Sequence, residues 1–179
     1  MQRAIVVFFI CVGSPFMGGC TKLMYGLPHP HSELTAPTFC LYDAWADKYA
    51  SPVPIYRVRV TRVNPVNDQP IAWKAFSPRR ISGIDQVAWE IEYAPDDKSK
   101  PFHPFSCLTY GKAPKGYVEH IAAQPLIPER LYRVQILPKG ITPMSWVYFV
   151  IRADSTGRPI QLEYKCGPDR DHIYVITPQ

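Results

Sequence analysis

Cysteine is the residue type in this 179-residue chain with the clearest chemical options: Cys11, Cys20, Cys40, Cys107 and Cys166. Cys11 lies in the apolar run Ala4–Gly13 and Cys20 directly follows Gly18-Gly19, which leaves three thiols for the body of the chain. In an oxidising compartment three thiols give one disulfide and one spare cysteine. Cys40 and Cys107 both sit in apolar, strand-like runs (Phe39-Cys40-Leu41 and Phe105-Ser106-Cys107-Leu108) and are the favoured pair. Cys166, beside Gly167-Pro168, is the alternative partner.

The remaining constellations offer little catalytic chemistry. His29, His31, His103, His120 and His172 belong to no nucleophile, base or metal motif. The His29-Pro30-His31 pair has neither cysteine nor carboxylate beside it, so no metal site is expected. Tyr110-Gly-Lys-Ala-Pro-Lys-Gly116 lacks the residue order of a phosphate-binding loop and reads as a connection. Asp96-Asp97 and the Asp169/Asp171 pair read as solvated turn carboxylates. Cys166 has His172 nearby in sequence but no further sign of an activated nucleophile. Trp45, Trp73, Trp89 and Trp146 could floor a ligand site, although in β proteins such residues mostly fill the core. No catalytic residue, cofactor or enzyme activity is expected.

The N-terminus has the form of an export signal. Arg3 precedes an apolar run of about ten residues, far short of the ~20 needed to span a bilayer as a helix. The stretch Phe16-Met17-Gly18-Gly19-Cys20 resembles the lipobox of bacterial lipoproteins. That resemblance implies cleavage after Gly19 and a diacylglycerol thioether on Cys20. The mature protein would then be held by a lipid anchor on the periplasmic side of a membrane, the outer membrane being favoured. Residues 1–19 are thus read as signal peptide and 20–37 as a lipidated flexible tether, since Thr21–Pro37 holds three prolines and no periodicity.

About 160 residues would remain after cleavage, the size of one domain. The formal charge of +5 is mild and dispersed, and Arg79-Arg80 is the only basic doublet near a cluster. Nucleic-acid binders carry denser patches, so no nucleic-acid partner is expected. From Thr38 onward short β-type runs alternate with Pro, Gly, Asn and Asp. Ile55–Val63 and Gln86–Tyr93 alternate with period two, and Tyr56, Val58 and Val60 are expected to face the core. Ile71–Phe76, Phe105–Tyr110, Trp146–Ala153, Ile160–Tyr164 and His172–Thr177 read as further strands, with Asp154–Arg158 as a hairpin turn. Asp43–Ala50 is the best helix candidate, two turns at most.

Leu126-Ile-Pro128-Glu-Arg-Leu-Tyr132-Arg-Val134-Gln-Ile136 resembles the tyrosine corner and following strand of fibronectin III and related immunoglobulin-like sandwiches. The resemblance implies that Leu126 plugs the core, Pro128 starts the turn, and the Tyr132 hydroxyl bonds the backbone just upstream. The expected fold over 38–179 is therefore all-β: an immunoglobulin/fibronectin III-like β-sandwich of about nine strands with an extra C-terminal hairpin.

A second likeness follows from the order of features. Cys40 in the first strand, Cys107-Leu108-x-Tyr110-Gly111, a Pro114/Gly116 turn and Leu126-x-Pro128…Tyr132-x-Val134 together resemble small bacterial lipoproteins regarded as type VI secretion immunity proteins. This likeness runs over Thr38–Ala153 and implies a protein partner, a toxin acting in the periplasm, that is bound and occluded. Arg79, Arg80, Tyr110, Lys112, Lys115 and Tyr117 are the candidate binding residues, read as exposed loop positions. The alternative function is a structural or accessory lipoprotein of an envelope or secretion assembly.

Overall fold

Period-two alternation of β-branched and aromatic residues with polar ones produces strands that bury one face, and the chain folds accordingly. The computed structural model describes residues 24–43, 48–63, 86–94, 104–138, 146–166 and 174–177. They form twelve strands and, among the described residues, no helix. The strands are β1 (Met24–Pro28), β2 (Thr38–Asp43), β3 (Lys48–Tyr49), β4 (Val53–Val63), β5 (Gln86–Tyr93) and β6 (Pro104–Phe105). They continue as β7 (Cys107–Thr109), β8 (Tyr117–Ile121), β9 (Leu131–Pro138), β10 (Trp146–Ala153), β11 (Pro159–Cys166) and β12 (Tyr174–Ile176).

All pairings are antiparallel, and two sheets face each other as a sandwich. In the smaller sheet β2 carries β1 on one edge and β3 and β7, end to end, on the other. The larger has the order β12-β11-β10-β9-β4-β5-β8, with β6 against the start of β4. Strands β1-β2-β7 facing β10-β9-β4-β5 reproduce the A-B-E and G-F-C-C′ sheets expected of an immunoglobulin-like Greek key, and β11-β12 extend the G edge as a hairpin.

Phe39 and Leu41 of the smaller sheet meet Val58, Val60, Trp89, Ile91, Tyr132, Val134, Ile136, Val147, Phe149 and Leu162 of the larger in one core. Phe39 packs on Phe149, which stacks on Tyr132, with both centroid separations 5.3 Å. A Cβ on Gly26, which lies opposite Leu41, would stand 2.5 Å from Ile136 Cδ1, so glycine permits the closest approach of the sheets there. These contacts align the two sheets end for end. The Asp43/Lys48 end of the small sheet lies with Pro138 and the start of β4. The Thr38 end lies with Tyr132, Ile151 and the Asp154–Arg158 hairpin.

The centre of β10, Val147–Ile151, is buried on both faces. Val147 and Phe149 enter the main core, while on the opposite face Tyr148 and Val150, the latter in line with Leu131 and Val63, are equally closed to solvent. The unbroken apolar run Trp146–Ile151 suits such a two-sided environment.

Several expectations are corrected. The fold extends upstream of Thr38 through β1: this strand pairs with β2 over five residues, His29 N–H continues the ladder to the Thr38 carbonyl, and Ser32 and Leu34 are buried. Three prolines mask this strand in the sequence because they fall at its end and in the loop that follows. The helix expected over Asp43–Ala50 is excluded at both ends by the strand pairs Tyr42↔Tyr49 and Asp43↔Lys48. Eight of the nine expected strands fall among the described residues, and they become twelve because β1, β3 and β8 were not anticipated and Phe105–Tyr110 divides into β6 and β7. Tyr56 does not face the core. A register shift between Ile55 and Arg57 buries Ile55 completely and turns Tyr56 outward. Ile71–Phe76 lies outside the described residues.

Candidate functional site

The cysteine pairing is settled by the structure. Cys40 and Cys107, 67 residues apart, are disulfide-bonded and stand directly opposite each other in β2 and β7. The bridge therefore lies within one sheet instead of joining the two, as it does in antibody domains. Cys166 ends β11, its backbone opposite Val147.

The corner also forms. Pro128-Glu129 makes the turn, Leu126 packs against the core, and the Ile127 N–H donates to the buried Tyr132 hydroxyl at 2.8 Å. Glu129 adopts a φ of 62°, which is strained for a residue with a side chain. Its carboxylate is held there by the Ala153 N–H at 2.9 Å and by Arg152 at 2.7 Å, and Arg152 also bonds Glu163.

Of the six residues expected to bind, Tyr110, Lys112, Lys115 and Tyr117 are among the described residues. Tyr110 is buried, not exposed. Its hydroxyl donates to the carbonyls of Ala88 and Gln124, at 3.0 and 2.6 Å, and its ring meets Trp89 edge-on. Ala88 is the extra residue of a bulge in β5, so its carbonyl is free to take the phenol and the Gln124 N–H. Burial pushes the Tyr110 phenol well above its ordinary pKa. Tyr117 begins β8, with its ring edge-on to Tyr93 and Phe105 and its hydroxyl on the Ile55 carbonyl; burial raises its pKa likewise. Both tyrosines hold the fold together. Lys112 and Lys115 are exposed in the β7–β8 connection. Cys20, Arg79 and Arg80 lie outside the described residues.

A different face gathers the side chains suited to recognition. On the outer side of the larger sheet β4 presents Arg57 and Arg59 directly opposite Glu92 and Glu90 of β5. Arg59 grips Glu90 with two parallel bonds of 2.7 and 3.0 Å. Arg57 holds Glu92 through Nε at 2.9 Å and through Nη2, and its Nε lies 3.7 Å from Glu90. The Tyr56 hydroxyl donates to the other Glu92 oxygen at 2.6 Å, while the Arg57 guanidinium sits 5.5 Å over the Tyr56 ring. The Tyr56 hydroxyl first, and the Arg57 guanidinium next, hold the Glu92 carboxyl below the usual carboxylate range. His120 of β8 flanks Glu92 at 3.9 Å.

The row continues across the sheet. Arg59 is opposite Gln135 of β9, which is opposite Trp146 of β10. Trp146 is 40% exposed, and the Arg133 guanidinium lies 5.2 Å over its ring. Tyr56, Arg57, Arg59, Gln135 and Trp146 thus form one strip in which the polar ends of Tyr56, Arg57 and Arg59 are already held by partners in the protein. Such a strip offers aromatic and guanidinium anchors with little ordering entropy left to lose on association.

Sequence reasoning passed over this strip, although Arg57-Val-Arg59 and Glu90-Ile-Glu92 carried its signature: opposite charges at alternate positions of two strands. The chain matches no protein-family model, no curated protein and no solved structure.

Proposed function

We propose that this protein is an exported lipoprotein, anchored through Cys20 on the periplasmic side of a membrane, that acts by binding another protein. A toxin delivered into the periplasm is the favoured partner, and neutralisation works by occlusion: a rigid face covers the toxin's working surface. The observation that carries the reading is the Tyr56–Arg57–Arg59–Trp146 strip. It joins exposed aromatic and arginine side chains, the types that dominate binding energy at protein interfaces, on a sheet whose register and ion pairs fix their positions. The signal-like N-terminus with Cys20 and the disulfide within the smaller sheet fit an oxidising compartment.

The test is rescue. A toxin-like protein encoded beside this one is expressed in the periplasm alone, with the wild-type lipoprotein, and with a Tyr56→Ala/Trp146→Ala variant of equal abundance. Rescue by the wild type and its loss in the variant supports the reading. Failure of the wild type to rescue, together with affinity capture that retains no protein partner, refutes it. Mass spectrometry of the mature N-terminus tests the anchor separately.

A further inference from the structure

We infer that the sandwich stands on the membrane by its Asp43/Lys48 end, holding the Tyr56–Trp146 strip sideways and the Asp154–Arg158 hairpin away from the lipid. The inference rests on lipidation of Cys20. It follows from the position of β1 in the sheet. Met24, the first residue of β1, is the fourth residue after Cys20 and is locked in register opposite Asp43. Four residues span at most about 14 Å even when fully extended. The lipid-bearing residue therefore cannot stray further than that from the corner where Met24, Asp43 and Lys48 are adjacent.

From that corner the strands run away from the anchor. β2 reaches from Asp43 to Thr38 and β10 from Trp146 to Ala153, and at ~3.4 Å per residue the hairpin tip lies roughly 25 Å further out. The chemistry of the near end suits a headgroup layer. Lys48 is exposed and Tyr49 next to it is 45% exposed. A lysine head on an apolar stem and an amphipathic phenol are side chains that settle at a lipid–water boundary. The opposite end carries Lys112, Ser155, Thr156 and Arg158, all exposed and small or charged.

Had the chain from Thr21 to Pro37 been a free tether, the domain would tumble and no face would have a fixed aspect. With β1 in the sheet, a partner in the periplasm meets the Tyr56–Trp146 strip from the side, at a height above the bilayer limited by the about 14 Å reach of the four linking residues.

The full lipoprotein, in a Cys166→Ser background, is labelled with a fluorophore at Lys48→Cys, Lys112→Cys or Ser155→Cys. It is reconstituted into phosphatidylcholine–phosphatidylglycerol vesicles containing a headgroup-nitroxide lipid. Quenching several-fold greater at position 48 than at 112 and 155 is expected. Equal quenching at all three positions on protein that floats with the vesicles overturns the orientation while leaving the anchor intact. Protein that neither floats nor carries a lipid mass on Cys20 refutes the anchor itself, and the orientation with it.

Discussion

Glu90 lies beneath the candidate strip, its side chain only 10% exposed, yet it fixes the position of Arg59 at the surface. Replacing it tests whether the strip is rigid because of its ion pairs. Two unit charges 4 Å apart attract by about 4 kcal/mol at the effective dielectric of a protein surface. Desolvation of the carboxylate and the 36% exposure of the Arg59 side chain offset much of that. The net coupling of the pair should be about 1 to 1.5 kcal/mol, above an ordinary exposed pair and below a buried one. Glu90→Ala also deprives Arg57 of its second carboxylate and should cost about 2 kcal/mol, which for a domain of this size lowers the Tm by roughly 4–8 °C. The assay is a double-mutant cycle of Glu90→Ala and Arg59→Ala, followed by urea and thermal unfolding with the disulfide oxidised. Partner affinity should fall in Glu90→Ala as well, because a loosened Arg59 must be ordered on binding. A coupling below about 0.3 kcal/mol, or unchanged affinity in a variant whose partner contact depends on Arg59, would refute the reasoning.

The Cys40–Cys107 bridge closes a loop long enough to stabilise by about 4 kcal/mol in the chain-entropy model; a Cys40→Ser/Cys107→Ser variant should therefore unfold at markedly lower urea, and equal midpoints would contradict this. Tyr132→Phe leaves the Ile127 N–H without its partner and should cost about 1 kcal/mol, read from the urea midpoint. Gly26→Val drives side-chain atoms into Ile136 and should destabilise by about 1–3 kcal/mol, whereas Gly157→Ala, in open space, costs only the strain of its positive φ. Tyr110 and Tyr117 have raised native pKa values, so stability is unaffected below the unfolded-state value of about 10 and falls as pH rises beyond it, when only the unfolded chain releases these protons. An ultraviolet titration should show these phenols ionising only together with unfolding, and reversible ionisation in the folded state would contradict the burial.

What the sequence makes legible is whatever a single strand encodes on its own. Val58-x-Val60 and Trp89-x-Ile91-x-Tyr93 declare their inner faces by alternation, and Leu126-x-Pro128-x-x-x-Tyr132 carries a whole corner in seven residues. The apolar neighbourhoods of Cys40 and Cys107 suffice for the disulfide. What stays hidden needs a partner to be seen. Met24–Pro28 has no period of its own and becomes a strand because Thr38–Asp43 offers it an edge. Tyr110 precedes a glycine and looks like a loop residue. Its burial depends on the β5 bulge that frees the Ala88 carbonyl, a feature of pairing and not of local composition.

The candidate strip is hidden for the same reason, and its origin ties recognition to the core. Arg57-Val-Arg59 and Glu90-Ile-Glu92, read separately, are charged outer faces like any others. They become two ion pairs only because Val58 meets Ile91 and Val60 meets Trp89 on the inner side, which sets Arg57 against Glu92 and Arg59 against Glu90. A slip of one residue would reverse every side chain and expose the core set, so the register that buries the apolar residues also aligns the charges. The ladder stops after two rungs because the register shifts between Val60 and Thr61, and from there outward the same face is closed over Val63, Leu131 and Val150. The position and the length of the strip are therefore set by core packing and one bulge. A partner that binds it is reading, at one remove, how Val58, Val60, Trp89 and Ile91 pack.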